Sequence, residues 1–354
     1  MTRPRQTRKV TLRDVADRAG VATSTASLVF SGRGPVAQAT ADRVRAAAAD
    51  LGYAGPDPLA SSLRQGRSGT VAVIVEERLL DAFRDPFALT VLDGLAQELD
   101  SMGTSMLLMA DHADSPDNSL AGHAIDAAIF PLCGRDESPL VDHLVARGIP
   151  LVGAGAPLRD EVIHVVIDEH GASASATHHL VDLGHTRLAH VTMPLGAPRP
   201  THLVGRDDIA GTVYADARER ALGFLDTAPQ GSVVETERAD VVQGEVAGRL
   251  LLDVAPQDRP TGVVAQSDLL AAGVVRAAES LGLRVPEDVS VTGFDGVDLP
   301  WLDARLTTVV QPGEAKGRLL GDLTRRALAG ESPASTPFEV RLRVGDTTAP
   351  PPAG

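Results

Sequence analysis

The stretch Val10–Phe30, VTLRDVADRAGVATSTASLVF, decides how the first part of this chain folds. Thr11 and Asp14 stand three apart, so each side chain can reach the other's backbone N–H as a capping box, and a helix opens at Leu12 and runs to Ala19. Gly20-Val21 breaks it, and a second helix follows through about Phe30. Beyond the loop Ser31-Gly32-Arg33-Gly34-Pro35, a third helix runs from near Ala39 to Leu51 and stops at Gly52. Leu12, Val15, Ala16, Val21, Ala26, Val29, Val44, Ala48 and Leu51 recur at helical spacing and make one small core. Small Ala16 and Gly20 let the first two helices cross closely at a tight turn. That is the geometry of a helix-turn-helix whose second helix enters the major groove of DNA. A three-helix bundle of this size could also dock a protein.

Charge separates this head from the rest. Residues 1–67 hold eleven Lys/Arg against five Asp/Glu, and the remaining chain holds 22 against 42, for a formal net charge of −14 overall. A basic head on an acidic body places the head, and not the body, against phosphates; a basic disordered tail would carry the same charge. The single cysteine, Cys133, allows no disulfide within the chain and points to a reducing cytoplasm. The basic start, MTRPRQTRKV, is followed by no apolar run, so no secretory signal is expected, and no segment is apolar for long enough to span a membrane.

Ala54-Gly55-Pro56-Asp57-Pro58 reads as a stiff linker, and Leu59–Arg64 as a helix-compatible segment too short to be stable alone. From Thr70 the pattern changes. VAVIV (71–75), SMLLMA (105–110), DAAIFPL (126–132), IPLVGAG (149–155), HVVID (164–168), RLAHVTM (187–193), GVVAQ (262–266) and VSVTGFD (289–295) read as buried strands. Helices are expected over Pro86–Ser101, Gly171–Leu183, Ala217–Ala228 and Leu269–Leu281. Continuously apolar strands alternating with helices mean parallel sheets covered on both faces, here in two lobes. Residues 194–214 read as a long polar loop, and TTAPPPAG (347–354) as a disordered tail.

Several runs in order resemble the LacI/GalR repressor family: Val10–Phe30, its continuation SGRGPVAQATADRVRAAAADLGY, and PLASSLRQGRS. In the body the matching runs are DPFALTVLDG (85–94), HHLVDLGHTRLAHVT (178–192), ARERALGF (217–224), LGLRVPEDVSVTGFD (281–295) and LTTVVQP (306–312). The resemblance implies an α/β chain of three parts: a three-helix helix-turn-helix head (1–55), a hinge helix and linker (56–68), and a two-lobed type I periplasmic-binding-protein-like body (69–346). The N-lobe is expected over about 69–167 and 298–330, and the C-lobe over about 168–297 and 331–346. It further implies a homodimer on a palindromic double-stranded operator, and a small-molecule effector, most readily a carbohydrate, in the cleft between lobes. Neither a cofactor nor a metal is implied. Repression is the family's default activity.

Residue by residue, the family's base-reading positions fall on Thr23, Ser24 and Leu28. The two hydroxyls can donate or accept, so they read bases adaptably. Leu28 departs from the family's polar or basic residue; it would meet thymine methyls or pack into the core. Ala22 and Ala37 stand where the family often has a Ser cap, which costs each helix about 1 kcal/mol. Leu63, flanked by Ser62 and Arg64, takes the place of the leucine that wedges into the central minor-groove step and kinks it. The linker from Tyr53 to that leucine is one residue longer than the family's usual spacing. Arg3, Arg5, Arg8 and Lys9 would touch phosphates or stay solvated.

In the cleft, Arg218 matches the family's ligand arginine, whose planar fork suits two adjacent oxygens. Asp295, at the C-terminal end of VSVTGFD, matches an acceptor of ligand hydroxyls. Ser267 replaces an asparagine before Asp268. Phe87 and Trp301 would supply an apolar face for a sugar ring. Asp168 lies at a lobe crossover, as ligand contact or hinge.

Two other classes fit the body alone. An enzyme would need a motif that is absent: the sequence has no G-x-S-x-G elbow, no P-loop and no H-E-x-x-H, and Gly153-Ala-Gly155-Ala-Pro157 lacks the third glycine of a dinucleotide loop. A solute-binding protein feeding a transporter would need an export signal and no head.

Overall fold

The computed structural model describes residues 10–31, 34–55, 66–76, 78–111 and 119–352, and the chain divides into two compact units, Met1–Ser68 and Gly69–Gly354. Ser62, Leu63 and Arg64, the hinge helix and the four N-terminal basic residues lie outside the described residues.

Among the described residues the first unit holds the helices α1 (Leu12–Ala19), α2 (Thr23–Ser31) and α3 (Gln38–Leu51). The capping box forms as read: Thr11 N–H donates to Asp14 Oδ2 at 2.8 Å, and Asp14 N–H donates to Thr11 Oγ1 at 3.3 Å. Gly20 ends α1 at φ +67°, a left-handed turn that a side chain would strain, and this turns the chain into α2. Ala37 provides no side-chain cap for α3. Val15, Ala16, Ala26, Val44, Ala47 and Ala48 form the core, which Phe30 and Tyr53 close with an edge-to-face contact of 5.4 Å.

The second unit contains two sheets. In chain order its elements are β1 (Thr70–Glu76), α4 (Leu79–Ala82), α5 (Pro86–Ser101), β2 (Ser105–Asp111), β3 (Ala127–Phe130), α6 (Pro139–Ala146), β4 (Leu151–Gly153) and β5 (Val162–Val166). There follow α7 (Glu169–Asp182), β6 (Leu188–Thr192), β7 (His202–Val204), α8 (Arg206–Ala210), α9 (Ala215–Thr227), β8 (Ser232–Glu235), α10 (Val241–Leu252), β9 (Gly262–Ala265), α11 (Asp268–Ser280) and β10 (Ser290–Asp295). The chain ends through β11 (Thr307–Val310), α12 (Gly313–Leu328), β12 (Thr336–Pro337) and β13 (Arg341–Arg343). The N-lobe sheet runs β12-β5-β4-β3-β1-β2 and the C-lobe sheet β13-β11-β10-β9-β6-β8-β7. Pairing is parallel except at the two C-lobe edges, β11 with β13 and β8 with β7.

The chain passes between lobes after β5, after β11 and after β12, which corrects the expected lobe boundaries. Residues 298–312 stay with the C-lobe because β11 pairs in register with β10. The N-lobe keeps the chain through Pro337, because β12 pairs with β5. α12 packs on α5 through glycines so closely that a Cβ on Gly317 would lie 2.0 Å from the carbonyl oxygen of Val91. The expected loop 194–214 contains β7 and α8. Its start is tied to buried Glu235, which accepts from Leu195 N–H at 2.9 Å and pairs with Arg199 at 2.9 Å.

The tail reading is also corrected, because residues 347–349 pack and hydrogen-bond against the C-lobe. Thr347 is fully buried and acts as an extra β-like partner: Val291 N–H donates to its carbonyl at 2.8 Å, and its hydroxyl donates to Val291 O at 2.7 Å. Ala349 O accepts from His185 Nε2 at 2.8 Å. The proline-rich tail instead supplies partners for backbone groups at the N-terminal end of β10, where β11 has not yet begun to pair.

Candidate effector cleft and head surface

On the head, α2 buries only Ala26, and Thr23, Ser24 and Leu28 are exposed together on its outer side. Leu28 is 38% exposed, so it stands clear of the head core.

In the body, the C-terminal ends of the parallel strands and the lobe crossovers bring charged groups together. β10 ends on Asp295, whose φ of +106° is the one positive value for a non-glycine among the described residues. Holding that conformation costs roughly 1–3 kcal/mol and persists only where the surroundings impose it, which marks functional sites. Gln311, on the crossover after β11, does so: its backbone N–H donates to Asp295 O at 3.0 Å and its Nε2 to Asp295 Oδ1 at 2.9 Å. Burial pushes the Asp295 carboxyl well above the usual range, against the pull of nearby Arg220.

Arg220, which sequence reasoning passed over, is the central cation. It is 2% exposed, donates from Nε to Glu169 at 2.6 Å and from Nη1 to Gln266 O at 2.8 Å, and lies 3.7 Å over the Phe294 ring. Burial opposes its charge, but Glu169 and Asp295 outweigh that and hold its pKa above the ordinary arginine value. Below it, Gln266 Nε2 lies 3.0 Å from His190 Nε2 and donates to Ala217 O at 2.9 Å. Enclosed by the sheet and stacked on Phe224, His190 has its pKa lowered by burial to about 3 and is neutral.

Across from these groups the N-lobe contributes Asp85, Phe87, Cys133 and Lys316. Asp85 caps α5 through Phe87 N–H at 2.9 Å, and burial raises its pKa. Phe87 is buried beside Lys316, whose Nζ is 5.5 Å from the ring centroid. Burial pushes the Cys133 thiol up, and Asp216 adds to the shift. Asp216 Oδ2 is a buried oxygen without a hydrogen-bond partner among the described residues.

The expected cleft residues divide. Asp295 and Phe87 lie in this cluster. Ser267 is buried at its margin, where its hydroxyl caps α11 by accepting from Leu270 N–H at 3.2 Å. Asp168 is engaged as the cap of α7, accepting from Gly171 N–H at 2.9 Å. Arg218 sits at the rim, where it pairs with Asp136 at 3.1 Å and Glu219 at 3.3 Å. Two residues further along α9 is the inward side, which explains why Arg220 occupies the interior. Trp301 is likewise removed from the cluster; it is 45% exposed on the C-lobe surface, with Arg276 stacked 4.4 Å above its ring.

The rim that carries Arg218 also fastens the lobes. Asp136 accepts from Ala215 N–H at 2.8 Å, and its own N–H donates to Val213 O at 2.7 Å. Tyr214 donates its hydroxyl proton to Glu76 Oε1 at 3.2 Å. Among the described residues no helix is long and apolar enough to cross a membrane.

Comparison with known proteins gives matches to family models, to whole proteins and to solved structures. Residues 11–55 match the family model for bacterial regulatory proteins of the lacI family, and residues 177–348 match a periplasmic binding protein-like domain. An HTH-type transcriptional regulator of Mycobacterium tuberculosis is 30% identical, over 98% of this chain and 99% of that protein. The HTH-type regulator CelR of Thermobifida fusca is 31% identical over 96% of this chain and 98% of its own length. Among solved structures, a CelR–cellobiose complex superimposes with a TM-score of 0.67 at 29% identity, covering 96% of this chain and 99% of that one. The lac repressor dimer bound to operator shares the fold, with a TM-score of 0.76 at 22% identity over 97% of this chain and 100% of that one.

Proposed function

Because the chain belongs to the lacI family of bacterial regulatory proteins, a family of DNA-binding transcriptional regulators and not of enzymes, we propose that it is a repressor. In this reading it binds a palindromic operator as a homodimer, and a small carbohydrate in the inter-lobe cleft alters its operator affinity. The observation that carries the effector reading is the buried Arg220–Asp295 cluster, which presents hydrogen-bonding groups beside Phe87 where the chain crosses between lobes. A site built this way suits hydroxyl groups against one apolar face. The similar CelR structure, a cellobiose complex, supports the same class.

For the head, Thr23, Ser24 and Leu28 read base edges, and Leu63 with Ser62 and Arg64 forms the minor-groove wedge. Unstacking the central step costs a few kcal/mol and is offset by the contacts that the bend brings into reach. For the dimer, α10 exposes Val242, Val246 and Leu250 at four-residue spacing, an apolar stripe suited to a second copy.

The test is selection of random duplex DNA by the full chain at moderate salt, with and without a mixture of neutral sugars. The expected result is enrichment of a palindrome with a flexible central step, altered by sugar. Enrichment of no sequence in either condition would remove the repressor reading. A Leu63→Ser variant is expected to lose the preference and keep weak, salt-sensitive binding; unchanged operator affinity in a gel-shift titration counts against the wedge.

A further inference from the structure

Lys316 stands out on α12. The buried stripe of that helix is Gly313, Lys316, Gly317, Leu320, Gly321, Leu323 and Thr324, and an ammonium is an expensive occupant of a position 3% exposed. Its one hydrogen bond among the described residues is Nζ to Gln311 Oε1 at 3.2 Å. An ammonium has three donors, so two remain for a ligand. Gln311 cannot turn away, because its amide nitrogen is held by Asp295 Oδ1 at 2.9 Å. One carboxamide therefore holds a donor, Lys316, and an acceptor, Asp295, side by side, with Phe87 covering the flank.

From this arrangement we infer that Lys316 is a specificity-determining contact of the effector, and that the effector is an uncharged polyol whose adjacent hydroxyls meet Lys316 and Asp295. One hydroxyl accepts from the ammonium and its neighbour donates to a carboxyl oxygen of Asp295. Charge sets the class. Among the described residues, the carboxyl groups of Asp85, Glu169, Asp216, Asp268 and Asp295 outnumber the cations Arg220 and Lys316 around this point, an acceptor-rich setting that opposes a sugar acid or a sugar phosphate. Lys316 therefore acts as a directional donor within an acceptor-rich cleft and does not make it an anion site. The inference rests on the proposed small-molecule reading of the cleft.

The experiment is calorimetric titration of the full chain with neutral probes (glucose, xylose, myo-inositol, maltose, cellobiose) and with gluconate and glucuronate. At least one neutral probe is expected to bind, and the acids to bind about tenfold more weakly or not at all. Lys316→Met is expected to weaken the neutral probe by about tenfold or more, the effect of losing a charged hydrogen bond. Lys316→Arg keeps the charge, so it tests the site even if the methionine variant fails to fold; a longer, planar guanidinium should change the ranking among neutral probes. Wild-type affinities retained in both variants overturn the inference, as does tighter binding of the acids. Failure of the wild type to bind any probe is a different result, since it overturns the carbohydrate reading and this inference with it.

Discussion

The two lobes share a strand-helix pattern but differ in what they bury. The N-lobe interior is aliphatic: Val71, Val73, Leu95, Leu99, Ile129, Val152, Leu320 and Leu323 pack with little polar company beyond Ser138, Lys316 and Thr324. The C-lobe buries His190, Arg220, Glu235, Gln266, Asp268, Thr308, Asp295 and Gln311 and joins most of them by hydrogen bonds. Buried polar networks are costly unless fully satisfied, and they fix one geometry when they are. The difference assigns recognition chiefly to the C-lobe, with the N-lobe as the apolar body that closes Asp85, Phe87 and Lys316 onto it.

The largest effect should come from breaking the network at its centre. Arg220→Met leaves half-buried Glu169 without its partner and is expected to cost about 3–5 kcal/mol by denaturant unfolding, and to abolish the sugar response. Leu95→Ala in the N-lobe should cost a comparable 2–5 kcal/mol or so while keeping the order of preference among sugars. If both variants lose that order equally, the division between lobes is wrong.

Deletion of residues 347–354 comes next. It leaves Val291 N–H and Thr307 N–H of the C-lobe sheet without Thr347, at roughly 3 kcal/mol for the pair and their neighbours. Melting should fall, and proteolysis should begin in the C-lobe. An unchanged melting temperature would mean that the tail contacts are replaced by water.

A smaller effect depends on pH. His190 is neutral in the fold, with a pKa of about 3, whereas the unfolded chain takes up a proton below the ordinary 6.5. The unfolded state therefore binds more protons in that window, and the contribution is full above pH 6.5 and lost as pH falls toward 3. Between pH 6.5 and 5 the loss is about 2 kcal/mol from this residue. His190→Leu should be correspondingly less acid-sensitive than wild type in paired melts; equal slopes would contradict the assignment. The smallest expected effect lies outside both lobes: Thr11→Ala removes the α1 cap for about 1 kcal/mol and should lower head stability without altering sugar affinity.

Much of this architecture was legible because it follows short periods. Pro86–Ser101 was read to the residue from its N-terminal proline and apolar spacing, and Thr11 with Asp14 gave the start of α1. What stayed hidden depends on contacts between distant segments. Nothing local tells that β11 joins β10, that β12 returns to β5, or that a proline-rich tail will satisfy Val291. Arg220 and Lys316 are a different case, because each stands on the apolar stripe of its helix: Ala217, Arg220, Ala221 and Phe224 on α9, and Gly313, Lys316, Gly317 and Leu320 on α12. A charge at a core-facing position was a visible signal, and following the family's aligned arginine to Arg218 obscured it.

The most direct test of the account is the affinity of the full chain for its selected operator duplex, followed by fluorescence anisotropy as a bound neutral sugar is added. Wild type should change its operator affinity by about tenfold, a coupling of roughly 1–3 kcal/mol, and Asp295→Asn should bind the duplex equally well without sugar yet show no response. Operator affinity that stays constant while wild type demonstrably binds the sugar would contradict the claim that this cleft controls the head.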